Sequence, residues 1–304
     1  MRTIFPTMSI SIPIVEQLPS LPPKDVLSAV RAAFTELAAG TAVQPPQTVT
    51  LLPGGGDVIA YQAATSDAYA AKVSPYLPQT DGSAIVTAWT LVLSTHTGRP
   101  VVLCDSKALT VERTAATTAL AIDLLARRDA STLAIIGAGA QAHAHLRYAR
   151  AVRSFADVRI YSRSLRAAQD GTIAASADEA AAGADVVLLC TSAGEAVIDV
   201  GALPAGTLVT SISTNVPRAH EIAPAALPDL EVYGDYRPTV TASAGEMVIA
   251  AEQGVWAPKQ LRGDLPELLT GACERPTGER PVFFRSIGLG IEDLAIARLL
   301  VPSS

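Results

Sequence analysis

A five-residue apolar run at 132–136, TLAII, ends on the glycine-spaced turn GAGAQA at 137–142, and a helical pattern follows to about residue 154. A run this short and this apolar fits a strand covered on both faces. It commits the chain to a strand–turn–helix unit, the building block of a parallel, doubly wound sheet. The rest of the second half agrees. Further apolar runs stand at 158–161, 186–190 and 207–212, and the Ala-rich stretch 174–184 reads as a helix.

The turn also carries chemistry. Its pattern is GxGxxA: Gly137 permits the tight bend, Gly139 lets the backbone approach a pyrophosphate, and Ala142 packs the helix onto the strand. The helix start at Ala140 and Gln141 offers free N–H groups and a positive dipole end to an anion. In this context the spacing predicts a dinucleotide site, although a structural turn can use the same glycines. After the next strand, an NAD site usually places an acid on the ribose 2′-hydroxyl. This chain has Ser162, Arg163 and Ser164 there. A guanidinium between two hydroxyls suits a 2′-phosphate, so NADPH is expected, with NADH possible. The bland alternative is that Arg163 is a solvated loop charge.

The first half differs. A helix is expected over 24–38. Strands are expected at 48–52, 58–62, 71–73, 85–94 and 100–104, with turns between them, as in an antiparallel sheet. A long helix is expected from about 110 to 128. With 304 residues, two domains are the natural prior. Hydrophobic residues make up 49% and charged ones 17%, which excludes intrinsic disorder. A net charge of -6 with no basic run in the sequence argues against nucleic-acid binding.

Mean hydropathy is +0.31, which raises the question of a membrane protein. The apolar runs are strand-length, well short of the roughly 20 residues a spanning helix needs. The start of the chain has Pro6 and Pro13 and no small-residue cleavage site, so it does not read as a signal peptide, and a cytoplasmic address is expected. Cys104, Cys190 and Cys273 are widely spaced without a CxxC pair and fit buried, reduced thiols. Four scattered histidines suggest no metal site.

Several segments then match one family. LTVERTAA at 109–116 resembles the LTxxRTAA signature of the ornithine cyclodeaminase/mu-crystallin family. IGAGAQ at 136–141 resembles its IGxGxQ turn. RAHEI at 218–222 resembles the segment after its catalytic loop, and FRSIGLGIED at 284–293 its C-terminal SxGxAxxD motif. The resemblance implies an α/β fold. In it a Rossmann doubly wound parallel sheet, residues 115–287, is inserted in an α+β substrate-binding and dimerisation domain made of 1–114 and 288–304. It also implies a homodimer built through the N-terminal sheets, and a small substrate held between the domains by its carboxylate. Lys72 falls at the family's substrate lysine and Arg113 at its substrate arginine. A fixed guanidinium and an ammonium in a closed cleft can bind an α-carboxylate and orient the carbon beside it. Without the resemblance, Lys72 reads as a strand-edge charge and Arg113 as a helix-surface charge with Glu112 as neighbour.

Two departures matter. Where the family often has an arginine before its first sheet strand, this chain has Gln47, which can donate an amide hydrogen bond but no charge. Where the cyclodeaminases carry an acid, it has Asn215, which cannot exchange a proton. Removing ammonia from an amino acid needs such an exchange, whereas a preformed imine can arrive protonated. The expected activity is therefore NADPH-dependent reduction of a small cyclic imino acid, Δ1-pyrroline-2-carboxylate to L-proline or a related ketimine. Lys72 is a candidate proton source if burial lowers its pKa. The alternatives are a cyclodeaminase lyase, an N-alkyl amino-acid or alanine dehydrogenase, and a non-catalytic NADPH-binding crystallin-like protein.

Other residues keep two readings each. Thr114 could bond the nicotinamide end of the cofactor or sit inside its helix. Thr191 and Ser192 could line the cofactor or cap a turn. Asp293 could touch the nicotinamide region or cap the last helix, and Asp235 could be a site acid or a turn residue. His220 is expected to be packed or loop-bonded. His143 and His145, two apart on a helix, cannot face one ligand. The segment 164–185 is shorter than is usual in the family.

Overall fold

The computed structural model describes residues 12–167, 170–214 and 218–301. Helix α1 (Pro23–Ala38) starts on prolines that cannot donate to a preceding turn, and buries Val26, Val30, Ala33 and Phe34 along one stripe. The strands of the first sheet are β1 (Ile14–Val15), β2 (Thr48–Leu51), β3 (Asp57–Ala64), β4 (Ala68–Pro78), β5 (Ala84–Val86), β6 (Trp89–Ser94) and β7 (Pro100–Asp105). Their order is β1-β7-β6-β4-β3-β2, with β5 on β4, and all pairs but β1–β7 are antiparallel. The expected single strand 85–94 is two. β5 pairs with the far end of the long β4 and β6 with its first half, so the chain must turn between them.

Helix α2 (Lys107–Leu125) starts three residues earlier than expected, because Asp105 Oδ1 accepts the Lys107 N–H at 2.8 Å. Its alanines and threonines are buried almost all round, which fits a helix running through the interior. It contacts α1 and leads into the second sheet.

That sheet contains β8 (Thr132–Ile136), β9 (Asp157–Tyr161), β10 (Thr172–Ile173), β11 (Val186–Leu189), β12 (Leu208–Ser211), β13 (Glu231–Gly234), β14 (Gly263–Asp264) and β15 (Val282–Arg285). The order is β10-β9-β8-β11-β12-β15-β13-β14, and every pair is parallel. Helices α3 (Ala140–Val152), α4 (Ala177–Ala181), α5 (Arg237–Ser243), α6 (Gly245–Glu252) and α7 (Leu265–Thr270) belong to the connections. The helix expected over 174–184 is only α4. Ser176 caps it by accepting the Glu179 N–H, and β10 uses the residues just before. The fold is thus mixed α/β with a doubly wound parallel sheet. The last helix, α8 (Gly290–Arg298), returns to pack on α1, α2, β3 and β4. No helix among the described residues is long and apolar enough to cross a membrane.

Candidate active site

The glycine turn joins β8 to α3. Gly137 has φ +133, and a Cβ there would lie 2.4 Å from the Cys190 carbonyl oxygen at the end of β11. Only glycine fits, and its absence of a side chain draws two central strand ends together. A Cβ on Gly139 would meet nothing within 4 Å, and Gly139 offers the helix start no side-chain cap. The first N–H groups of α3, at Ala140 and Gln141, are therefore free for an anion, and Ala142 is buried against the sheet. These features fit a dinucleotide pyrophosphate. Replacing Gly137 with alanine is expected to abolish NADPH binding and lower the melting temperature, read by fluorescence titration and thermal unfolding.

Ser162, Arg163 and Ser164 follow β9. Arg163 is exposed, and the two serine hydroxyls lie 3.4 Å apart. Replacing Arg163 with glutamine should cut the preference for NADPH over NADH by roughly tenfold, the value of one charge-assisted hydrogen bond. The ratio of kcat/KM values for the two cofactors measures it.

Thr191 is not free. Its N–H and Oγ1 both donate to Glu221 Oε1, at 2.9 and 2.7 Å, and Oγ1 accepts the Ala193 N–H at 3.0 Å. This is the turn-capping alternative. Ser192 beside it is exposed. Glu221, which the sequence did not single out, is fully buried. Its other oxygen accepts from Ser211 Oγ and from the backbone of Ile212 and Ser213, at 2.8, 3.1 and 3.2 Å. One carboxylate thus ties the ends of β11 and β12. Asn215, further along the same loop, lies outside the described residues.

Lys72 and Arg113 meet in the interior, where they form a cluster with two acids. Lys72, on β4, places Nζ 3.0 Å from Asp293 Oδ1, 2.8 Å from Oδ2 and 4.2 Å from the centre of the Tyr61 ring. Arg113, on α2, bonds Glu292 Oε2 at 2.7 Å and Asp293 Oδ1 at 3.3 Å. Both acids are on α8. All four residues are buried. Burial pulls the Lys72 ammonium down to about 8, against the pull of Asp293. Burial likewise pushes the Glu292 carboxyl up to about 7, while Arg113 draws it down.

Three expectations change here. Glu112 is not the partner of Arg113; it accepts from Arg147 Nη2 and the Tyr148 hydroxyl, each at 2.6 Å. Asp293 does not cap α8, whose start has no side-chain cap; it pairs with Lys72 and Arg113. Thr114 donates to its own helix, to the Thr110 carbonyl at 2.7 Å, which is the helix-interior alternative. Asp235 is a loop organiser: Oδ2 accepts the N–H groups of Ile287 and Gly288 at 2.6 and 3.2 Å. Gly288 has φ +79 and a Cβ on it would reach 2.3 Å from Arg113 Nη1, so the backbone lies directly on the guanidinium. His145 is buried, with Nδ1 on the Gln141 carbonyl and Nε2 on Thr118; His143 is exposed, and His220 bonds the Arg218 carbonyl at 3.0 Å.

A pocket of about 80 Å³ adjoins the cluster, between the first sheet and α5. Gln44, Gln47, Tyr61, Thr239 and Gly288 line it. Tyr61 and Gly288 are the wall residues that touch Lys72 and Arg113. Gln47 Oε1 is buried there without a hydrogen-bond partner. The arrangement offers a titratable ammonium, a fixed guanidinium and an orphan acceptor beside one small space.

The family model for ornithine cyclodeaminase/mu-crystallin proteins matches residues 14–303. The chain belongs to that family. It is 51% identical over 288 residues to the NAD(P)H-dependent anabolic L-arginine dehydrogenase DauB of Pseudomonas aeruginosa, covering 91% of each chain. Among solved structures, it is similar to the Δ1-pyrroline-2-carboxylate reductase of Thermococcus litoralis in complex with NADH and L-proline. The identity is 27% and the TM-score 0.86, with 95% of this chain and 96% of that one covered. An archaeal alanine dehydrogenase dimer with bound NAD matches at 26% and TM-score 0.86, covering 95% of this chain and 94% of that one.

Proposed function

We propose that this member of the family is an NAD(P)H-dependent oxidoreductase acting at the carbon–nitrogen bond next to a substrate carboxylate. The observation that carries this reading is the buried Lys72–Asp293–Arg113–Glu292 cluster beside a small pocket. Residues 1–114 with 288–304 supply that cluster and Gln47. Residues 115–287 hold the cofactor through Gly137, Gly139, the start of α3, and Ser162 to Ser164. When bound, the reduced nicotinamide supplies a hydride to the imine carbon.

The work of the chain's own residues follows from their charges. Arg113 stays charged at every working pH and fixes the substrate carboxylate. As the imine carbon gains its hydrogen, the C=N electron pair moves to nitrogen, and the resulting amine takes a proton from the Lys72 ammonium. In the opposite direction, neutral Lys72 removes a proton from the substrate ammonium first. A lysine near pH 8 can serve both directions. Asp293 holds the lysine in place.

The 51% identity favours the open-chain substrate: the 2-imino acid related to L-arginine, formed from its 2-oxo acid and ammonia. Gln47 supports it. The residue brings no positive charge to the pocket wall, and its unpartnered Oε1 can accept an N–H from a guanidino side chain. The second reading is reduction of Δ1-pyrroline-2-carboxylate to L-proline, favoured by the likeness to the reductase that holds L-proline. The test is one assay with two substrates. Purified protein and NADPH are mixed with the 2-oxo acid of arginine plus ammonia, or with Δ1-pyrroline-2-carboxylate, and loss of reduced-nicotinamide absorbance is followed. Turnover of the first at the higher kcat/KM is expected. Turnover of neither contradicts the proposal.

The proposal includes a homodimer. Val49, Leu51, Val73, Tyr76, Ile85 and Val86 are exposed apolar side chains on β2, β4 and β5, with Leu51 79% exposed. By strand register Val49, Leu51, Tyr76 and Val86 share one face of these strands, and a second copy would cover that face. Replacing Leu51 and Val86 with glutamate is expected to give a monomer by sedimentation.

A further inference from the structure

At the far end of the parallel sheet from the glycine turn lies a second cleft, about 980 Å³ in volume. It sits where α2 and α3 end and where β15 begins, with Val282 on its wall. Five arginines line it: Arg31, Arg127, Arg128, Arg153 and Arg275. They are scattered along the sequence, so no basic run announces them; the fold collects them.

Two of the five are matched by carboxylates. Arg31 pairs with Asp123, and Arg127 with Asp129 and Asp185. The other three have no carboxylate partner among the described residues. Acids outnumber bases by 29 to 23 in this chain, so unmatched guanidiniums are not forced by a shortage of acids. Like charges gathered in one cleft repel each other and focus a positive potential into it.

A structural role explains part of the arrangement. Arg275 Nη1 donates to the Leu124 carbonyl in the last turn of α2 at 2.5 Å, and Arg153 Nη1 to the Arg128 carbonyl in the loop after it at 2.8 Å. Each of these contacts uses one of five N–H donors. The Nε of Arg153 is buried and bonds nothing. The Arg128 side chain donates no hydrogen bond among the described residues. A buried, unpaired donor on a charged group costs free energy unless a ligand completes it. Planar forks of this kind match phosphate oxygens two at a time.

We propose that this cleft binds a small molecule carrying two or more phosphate groups. Its volume suits a nucleotide-sized ligand. The cleft also touches α1 through Arg31, and α1 packs on α8, which carries Glu292 and Asp293. A ligand here therefore bridges the helix that supports the charge cluster and the base of the parallel sheet.

The test is calorimetric titration of inorganic tripolyphosphate into protein saturated with NADPH, so that the glycine turn and Arg163 are already occupied. One saturable site is expected, weakening as sodium chloride is added. The double replacement Arg128→Gln and Arg275→Gln should weaken binding by roughly tenfold or more. Arg128→Gln alone breaks no internal hydrogen bond and should weaken it severalfold. Arg99→Gln, in the turn between β6 and β7 of the first sheet, should change nothing. Melting temperature and NADPH affinity verify that each variant is folded. Absence of saturable binding, or equal affinity in wild type and the folded double variant, overturns the proposal.

Discussion

Replacing Lys72 with methionine lowers kcat for imine reduction by roughly 10²–10⁴-fold, the usual worth of a positioned proton donor. NADPH affinity is unchanged, because the lysine stands on β4, away from the glycine turn. The pH dependence distinguishes this from a general loss of order. Burial holds the Lys72 ammonium at about 8, well below its ordinary value of 10.5. Below about 8 the group is protonated and can donate, so the reductive rate is high there and falls as pH rises through that value. The oxidative direction needs the neutral amine, so its rate rises through the same range. Steady-state rates in both directions should show mirrored limbs in the wild type, and neither limb in the methionine variant. A wild-type profile flat from pH 7 to 9 would remove Lys72 from the proton transfer.

Arg113 carries the largest expected effect on stability. Its guanidinium faces Glu292 and Asp293, and all three side chains are buried. Replacing it with methionine leaves Glu292 buried without its cation, at a cost of about 3–5 kcal/mol. An exposed pair offers the contrast: Arg147 with Glu112 is half in solvent, and Arg147→Ala costs at most about 1 kcal/mol. Urea unfolding measures both. A second replacement, Glu292→Gln, removes the orphaned charge and should restore part of the loss. The pH dependence has a definite sign. Glu292 already has its pKa raised to about 7 with Arg113 present, and losing the cation raises it further. A folded-state carboxyl pKa above the unfolded one favours the folded state as pH falls. The Arg113→Met variant should therefore recover stability between pH 8 and pH 6. Equal loss at both values would contradict a charge origin.

The sequence revealed most where the determinants are local. The glycine turn works within ten residues, so strand β8, Gly137, Gly139 and helix α3 were all legible from spacing. Strands β13 and β15 were not. Each carries a buried charge, Glu231 and Arg285, which hides it from a search for apolar runs. Those charges are paired across the fold, Glu231 with Arg262 at 2.5 Å and Arg285 with Glu246 at 2.9 Å. The same limit applies to the cluster. Lys72 and Arg113 could be named from a family signature, but Asp293 lies 221 residues from Lys72. Only the return of α8 onto β4 and α2 brings the acids there. Glu221 was hidden for a further reason: its value lies in five donors from four residues at two strand ends. The excess hydropathy now has an address in the doubly covered parallel strands, with further apolar side chains exposed on the first sheet.

The central claim is hydrogen transfer to a carbon that bears both nitrogen and carboxylate. It is tested most directly with NADPH carrying deuterium at both C4 positions of the nicotinamide. The enzyme, the labelled cofactor and the 2-oxo acid of arginine with ammonia are incubated, and the amino acid formed is analysed by mass spectrometry and NMR. One deuterium at the α-carbon is the predicted result. An amino acid unlabelled at that carbon would contradict the account.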